Sequence, residues 1–431
     1  MKYKLFVGFA ALGLSAAMAV ADEVTDLRRE IDALNEKIQR LELKQDETSK
    51  DWKNHEDPIE ASVNTLISAG TSSEDNEGIE SLQGGGHDPK QRGFNFQQAE
   101  LSFAGEVDPY FKGEAHILFL EDDVELEEAF ITSTALPGNT ELKLGHYLTE
   151  FGRMNASHPH TWRWVDQPVV IGRFFGPDGS RAPGARVLWH TPLPWCSDVS
   201  FGAQNADNET MASFLGETSH HHDDEGEEEE GEEAIGGFPR ADREAEDFDD
   251  LVFSARMQNR FGLSDDTGAL LGFSGMVGPN AAGEDTQSAI YGADFTVTWE
   301  PDDHGHGWPF VEWQSEVIRR DYEADEDLED WGLYSQLLYG FTPGWAAGLR
   351  VEYATGDGEG PEPREEDDAR DDRLRLSPLL AYHPSENSRV RLQYNFDDAD
   401  HLEDGDAHTV WLAFEFLFGA HPSHEHVHDH D

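Results

Sequence analysis

Histidine-rich tracts are the residues of this chain whose types and spacing could bind metal. Neutral imidazole beside carboxylate is a ligand set for zinc, nickel or copper. The tracts lack the fixed geometry of a structural site, so they predict weak, exchangeable binding of Zn²⁺ by deprotonated imidazole. A solvated tail and a salt-adapted acidic loop explain them equally well. The candidate ligands are His220, His221, His222, His304, His306, His421, His424, His426, His428 and His430.

Two acidic loops, 355–371 and 397–407, are weaker candidates for cation binding. Their carboxylates lack the residue order of a calcium-binding loop. Loose bridging by Ca²⁺, between loops or to lipopolysaccharide phosphates, is one interpretation, and a solvated run of charge is the favoured one. The sequence therefore requires no cofactor and predicts at most weakly bound Zn²⁺ or Ca²⁺.

Arginines form the second group of candidates. The chain has 31 Lys+Arg against 89 Asp+Glu, a net charge of −58, yet residues 151–182 are basic. Folded into a lumen, this stretch would form the narrowest point, and arginines facing carboxylates would create a transverse field that favours small polar solutes. Ion pairs that brace loop and wall are an equally weighted alternative. The predicted constriction residues are Arg153, His158, His160, Arg163, Asp166, Arg173 and Arg181. The predicted lumen-wall residues are Arg186, Arg256, Arg350, Arg373, Arg375, Arg389, Arg391, Glu312 and Glu352.

Sixteen alternating segments between residues 58 and 418 would have to position these side chains. In 388–396, for example, Leu392 and Tyr394 share one face while Arg389 and Arg391 share the other. Short connections alternate with mostly long ones, as in membrane barrels. A bilayer requires every backbone amide to be paired within the sheet. The pattern predicts an all-β fold, a transmembrane antiparallel β-barrel of about 16 strands, against a soluble β-sandwich or propeller as the alternative.

The segments before and after the barrel have their own signatures. Residues 1–21 show the basic start, apolar run and Ala19-Val20-Ala21 site of a signal peptide. Residues 22–50 predict a short coiled-coil helix that is stable only when chains associate, as a dimer or a trimer. Residues 419–431 form a His-rich C-terminal tail. The coiled-coil positions are Val24, Leu27, Ile31, Leu34, Ile38 and Leu41.

The order of these parts resembles the porin superfamily of the phosphate-selective and trimeric DcaP-like type. In ELKLGHYLTEFGRMNASHPHTWRWVDQP at 141–168, Gly145 ends a strand and Phe151-Gly152 leads into the third loop. The last strand, TVWLAFEFLF, looks like the family's C-terminal assembly signal, and GAHPSHEHVHDHD follows it. The resemblance implies a constriction loop, a homotrimer, recognition by the barrel assembly machinery and the outer membrane of a Gram-negative bacterium.

The composition and motifs narrow the function. So acidic a chain excludes a basic nucleic-acid binder. It contains no G-x-S-x-G or Walker motif, so we do not expect an enzyme. We expect a porin for passive diffusion of small hydrophilic solutes that assists divalent metal uptake, zinc first, in contact with outer-membrane lipid and lipopolysaccharide. The alternative is a plugged metal-binding or adhesive surface barrel without an open pore.

Overall fold

The structure is a computed structural model that describes residues 59–121, 123–133, 136–216, 233–241, 243, 248–301, 307–358 and 370–419. The predicted signal peptide and coiled-coil helix lie outside the described residues, as does nearly all of the His-rich tail. The ten histidines predicted to bind metal weakly also lie outside them, so their role stays a prediction.

Sixteen antiparallel strands close into one barrel, which confirms the predicted fold. Each strand pairs with its neighbours in sequence, and the last strand returns to the first, with Ser62 opposite Gly419 and Ser72 opposite Thr409. The strands are β1 Glu60–Ser72, β2 Gly93–Asp108, β3 Phe111–Phe119, β4 Val124–Ser133, β5 Thr140–Leu148, β6 Arg181–His190, β7 Cys196–Asn205, β8 Leu251–Ser264, β9 Thr267–Pro279, β10 Gln287–Trp299, β11 Phe310–Tyr322, β12 Leu328–Thr342, β13 Trp345–Asp357, β14 Arg373–Ser385, β15 Ser388–Ala399 and β16 Asp406–Gly419.

Alternation along each strand separates an apolar outer surface from a polar interior. Leu392 of β15 lies opposite Leu412 of β16, and both are about half exposed on the outside of the barrel. The next pair, Arg391 and Ala413, is buried inside. Because the exposed face is the apolar one, the outer surface suits hydrocarbon rather than water.

The connections alternate in length, as the sequence predicted. One rim carries mainly short turns, such as 265–266 and 343–344, and we call it the turn rim. The other, the loop rim, carries loop 1 (73–92), loop 3 (149–180) and loop 4 (206–250). No helix among the described residues is both long and apolar enough to span a membrane.

Two short helices inside the loops were not predicted. Helix α1, Asn76–Leu82, lies in loop 1, where the Asp75 side chain accepts a hydrogen bond from the Gly78 amide as a helix cap. Helix α2, Val169–Phe175, lies in loop 3 and ends at Gly176, whose φ is 81°. Both helices turn apolar side chains into the barrel, so the loop rim folds inward.

The largest apolar core lies within the barrel. Phe151, Phe174 and Phe175 of loop 3 are completely buried and cluster with Met211 and Phe214 of loop 4. Wall residues from several strands complete it, among them Val252, Met276, Ile290, Ile318 and Tyr334. Loops 3 and 4 are therefore held in the lumen by hydrophobic burial as well as by charge.

Candidate functional site: loop 3 and the lumen wall

Loop 3 enters the barrel through a close backbone contact with the opposite wall. The Gly152 amide donates to Ser274 Oγ at 3.1 Å, and the Arg153 amide donates to Glu316 Oε2 at 3.2 Å. A Cβ on Gly152 would lie 1.5 Å from Glu316 Oε1, and its φ of 57° is left-handed. Glycine is favoured here because the φ is left-handed and because a Cβ would displace the Glu316 carboxylate that accepts the Arg153 amide.

Asp166 is the charged centre of the contact between loop 3 and strands β13–β15. Its carboxylate pairs with the Arg350 guanidinium, and Arg375 Nη1 lies 3.3 Å from Oδ2. Gln393 Nε2 and Asn395 Nδ2 each donate to it at 2.7 Å. Burial alone would raise the pKa of Asp166, but the two guanidinium groups lower it to about 2. The ionised carboxylate thus anchors the loop.

The arginines of the last strands are paired in the same way. Arg375 Nε lies 2.6 Å from Asp397 Oδ1, and Arg391 Nη2 lies 3.1 Å from Glu415 Oε2. Arg391 Nη1 also donates to the Trp164 carbonyl of loop 3 at 2.6 Å. Arg373 shares Asp397, and Arg389 shares Glu415. These guanidinium groups hold loop 3 against the wall, as the second of the two interpretations of the arginines predicted.

Arg163 pairs with a wall carboxylate at a position that water reaches. Its Nη2 lies 2.7 Å from Glu312 Oε2 on β11, and 38% of its side chain is exposed. In contrast, Arg173 of α2 is buried against Asp371 at 3.1 Å, and burial lowers its pKa to about 10. Arg163 and Glu312 form an opposite-charge pair that keeps contact with water inside the barrel.

Most of the remaining predicted residues lie in buried contacts on the wall or the loop. Arg181 is the first residue of β6 rather than a loop residue, and it pairs with Glu125. Arg186 Nη1 lies 2.6 Å from Glu141, and Arg256 Nη1 lies 2.7 Å from Asp294. Glu352 Oε2 accepts the Val169 amide at 2.6 Å, Arg153 is half-buried, and His158 and His160 are buried against carboxylates.

The partners of these two histidines were only partly foreseeable. Alternation turns Glu100 and Glu127 inward, but it would turn Glu128 outward. A register shift between His116 and Ile117 lets both Glu127 and Glu128 point inside, where they are 3% and 6% exposed. Burial alone would lower the pKa of His158, but Glu127 and Glu100 raise it well above the usual value. The adjacent pair of glutamates was the available signal for the bulge.

The chain resembles solved channel structures in fold and a bacterial protein in sequence. No protein-family model matches the sequence. An uncharacterised protein of Aquifex aeolicus is 28% identical over 358 residues, which cover 79% of this chain and 72% of the relative. The outer membrane channel DcaP of Acinetobacter baumannii has a TM-score of 0.51 at 13% identity and covers 84% of this chain and 96% of its own. The anion-selective porin from Comamonas acidovorans has a TM-score of 0.51 at 8% identity and covers 84% and 99%.

At these identities the structural likeness establishes the fold, and it confirms the resemblance to porins at that level. The closed sheet and its apolar outer surface agree with the predicted outer-membrane location, and DcaP is an outer membrane channel by name. The chain is an outer-membrane β-barrel with the sixteen-stranded porin fold.

Proposed function

We propose that this barrel is a porin through which small hydrophilic solutes diffuse past loop 3. The observation that carries the proposal is the Arg163–Glu312 pair, because both groups keep contact with water inside the barrel: 38% of the Arg163 side chain and 17% of the Glu312 side chain are exposed. Other inward charges near the turn rim are also wet, including Glu114 and Glu141, each with 30% of its side chain exposed. A polar surface of both signs favours small polar or zwitterionic solutes over apolar ones.

Single-channel recording in a planar bilayer tests the proposal. We expect stepwise current from the purified full-length chain and larger steps when residues 154–165 are replaced by a short Gly/Ser linker. The control is the same replacement in loop 8, residues 400–405, which should leave the steps unchanged. Complete absence of steps from both wild type and the loop 3 variant would overturn the proposal.

The apolar core inside the lumen favours a second candidate, the plugged surface barrel. Phe151, Phe174 and Phe214 are at most 1% exposed and join loops 3 and 4 across the barrel. A plug of this kind would leave the outer loops as the working part, in metal binding or adhesion. In the recording above, this candidate requires a silent wild type and conduction only after loop 3 is shortened.

Assisted entry of divalent metal, zinc first, is the finer part of the proposal. It is supported by the net charge of −58 and by the histidine tracts at 220–222 and 421–430. Deleting residues 220–233 and 421–431 should lower Zn²⁺ binding in calorimetry and slow growth under zinc limitation. Unchanged Zn²⁺ binding and unchanged growth would show that these tracts have no role in metal uptake.

A homotrimer joined through residues 24–41 is the assembly we propose, and it rests on the heptad spacing of that segment. Deleting residues 24–41 should reduce the particle in detergent from three chains to one in light scattering. A trimer that persists after the deletion would show that the chains associate through the barrel surface instead.

A further inference from the structure

A group of buried imidazoles and carboxylates lies between loop 3 and strands β2–β4. It is separate from the histidine tracts, and no side chain in it is more than 9% exposed. We call it the imidazole–carboxylate cluster. Its members are Glu100, His116, Glu127, Glu128, His158 and His160.

The two loop 3 histidines are held against carboxylates from two strands. His158 Nδ1 lies 2.7 Å from Glu127 Oε2, and its Nε2 lies 2.8 Å from Glu128 Oε2. His160 Nδ1 lies 2.8 Å from Glu100 Oε2. Between the two histidines, Pro159 begins a single turn of 3₁₀ helix, which fixes the spacing of the two rings at 5.6 Å between centroids. The loop therefore presents two imidazoles in one fixed arrangement.

Glu100 is oriented by groups behind it. Its Oε1 accepts a hydrogen bond from Ser102 Oγ at 2.6 Å and lies 3.2 Å from His116 Nδ1. The other oxygen, Oε2, is thereby directed toward His158 Nδ1 at 3.6 Å and His160 Nδ1 at 2.8 Å. Metal ligands in proteins are commonly held by such outer contacts, which set the direction of the donor atom.

The charge of the cluster requires compensation. Three carboxylates enclose three imidazoles, and the neighbouring guanidinium of Arg181 is shared between Glu125 and Glu127, with Nη1 at 4.0 Å from Glu127 Oε1. Burying carboxylates without a counter-charge is unfavourable, because the ions lose their hydration. Protonated imidazoles could supply the positive charge, and so could a bound cation with neutral imidazoles as its ligands.

We propose that Glu100, His158 and His160 bind one divalent transition-metal ion. The donor atoms of these three residues lie within 4.8 Å of one another. In tetrahedral coordination at about 2.1 Å, donor atoms stand about 3.4 Å apart, between the 2.8 and 3.6 Å found here from Glu100 Oε2 to the two imidazole nitrogens.

The donor set selects the class of metal. Two imidazoles and one carboxylate suit Zn²⁺, Co²⁺, Ni²⁺ or Fe²⁺, whereas Mg²⁺ and Ca²⁺ prefer oxygen ligands alone. Glu127, in contact with His158 Nδ1, is placed to give a fourth ligand. The ion would join loop 3 to β2 and β4, so its role is to fix the loop.

Metal content of the full-length chain tests this site. The protein is loaded with Co²⁺, and then dialysed against a weak chelator that removes weakly bound ions. We expect about one retained ion per chain by mass spectrometry, with the intense visible absorption of tetrahedral cobalt. His158→Ala and His160→Ala should each lose both signals. His401→Ala, which removes a histidine paired with Asp371 at 2.6 Å outside the cluster, is the matched control and should keep them.

Folding of each variant is checked by the gel shift that distinguishes closed from heat-unfolded barrels. Glu100→Gln, which keeps the side-chain volume, is the second variant and should weaken retention at least tenfold. The proposal is overturned if folded wild type retains no ion, since the imidazoles are then simply protonated. It is also overturned if a folded His158→Ala, His160→Ala double variant retains as much cobalt as wild type.

Discussion

At the scale of single residues, Asp166 holds loop 3 inside the lumen through buried ion pairs and hydrogen bonds. Its carboxylate is fully buried among four donor side chains from three strands. Removing one member of a buried ion pair typically costs about 3–5 kcal/mol, because the partner charge stays buried without compensation. Loop 3 therefore depends more on this carboxylate than on any exposed pair.

Asp166→Asn should lower the free energy of unfolding by about 3–5 kcal/mol, because Arg350 and Arg375 lose their shared counter-ion. Urea unfolding in lipid vesicles, followed by tryptophan fluorescence, measures the change. Asp321→Asn is the control, since Asp321 pairs with Arg319 in an exposed position where ion pairs contribute at most about 1 kcal/mol. Equal losses in the two variants would contradict the anchoring role.

The same carboxylate predicts a dependence on acid. Its pKa is lowered to about 2 by Arg350 and Arg375, below the ordinary value of 3.8. A lowered pKa means that the stabilisation is fully present above about pH 4 and is lost as the pH falls toward 2. The difference in unfolding free energy between wild type and Asp166→Asn should shrink over that interval. A difference that stays constant from pH 5 to 2 would argue against an ionised Asp166.

Arg163→Glu should shift the ion preference of the pore toward cations, because it places a second carboxylate beside Glu312 where water has access. Reversal potentials in a salt gradient measure the shift, and a change of at least twofold in the permeability ratio is expected. Arg319→Glu, at an exposed pair on β11, is the control and should have little effect. Equal ratios for both variants would place Arg163 away from the conducting path.

At the scale of elements, α2 is positioned by a glycine contact with loop 1. A Cβ on Gly172 would lie 2.0 Å from the Gly84 carbonyl oxygen and 2.8 Å from Gly84 Cα. Both obstacles are backbone, so a side chain at Gly172 would separate the helix from loop 1. The two loops then lose their close packing within the lumen.

Gly172→Val should therefore loosen loop 3 and make it a site of cleavage by trypsin at Arg173, which is otherwise buried. Proteolysis of the barrel in lipid vesicles, followed by mass spectrometry, detects the cut. Gly262→Val is the matched control, since a Cβ on Gly262 meets nothing within 4 Å. Protection of Arg173 in Gly172→Val equal to that in wild type would show that the helix tolerates the displacement.

These elements differ in how far the sequence predicted them. The sixteen strands were predicted from period-two alternation, because a bilayer disfavours polar side chains on the outer face of a barrel. The same alternation placed Arg350, Arg375 and Arg391 on the inner face. Their partners could not be predicted, since Arg391 meets Glu415 only through the register of β15 with β16. Helices α1 and α2, of seven residues each, were missed because tertiary packing rather than helical periodicity stabilises so short a segment.

At the scale of the whole molecule, the net charge of −58 sets the field around the barrel mouths. Cation preference should fall as salt rises, because the Debye length shortens from about 8 Å at 0.15 M to about 3 Å at 1 M. Reversal potentials at several mean salt concentrations measure this trend in wild type. A preference that is independent of salt would assign selectivity to close contacts such as Arg163–Glu312 instead.

The contacts of Asp166 also impose an order on biogenesis. Its partners Arg350, Arg375, Gln393 and Asn395 follow it by about two hundred residues, on β13–β15. A nascent barrel that ends at β10 would hold loop 3 beside a wall still lacking these guanidinium groups. Asp166 of loop 3 can therefore form these contacts only after the C-terminal hairpins have been added to the sheet. Closure of β16 onto β1 and seating of the loop are thus late, coupled steps of maturation.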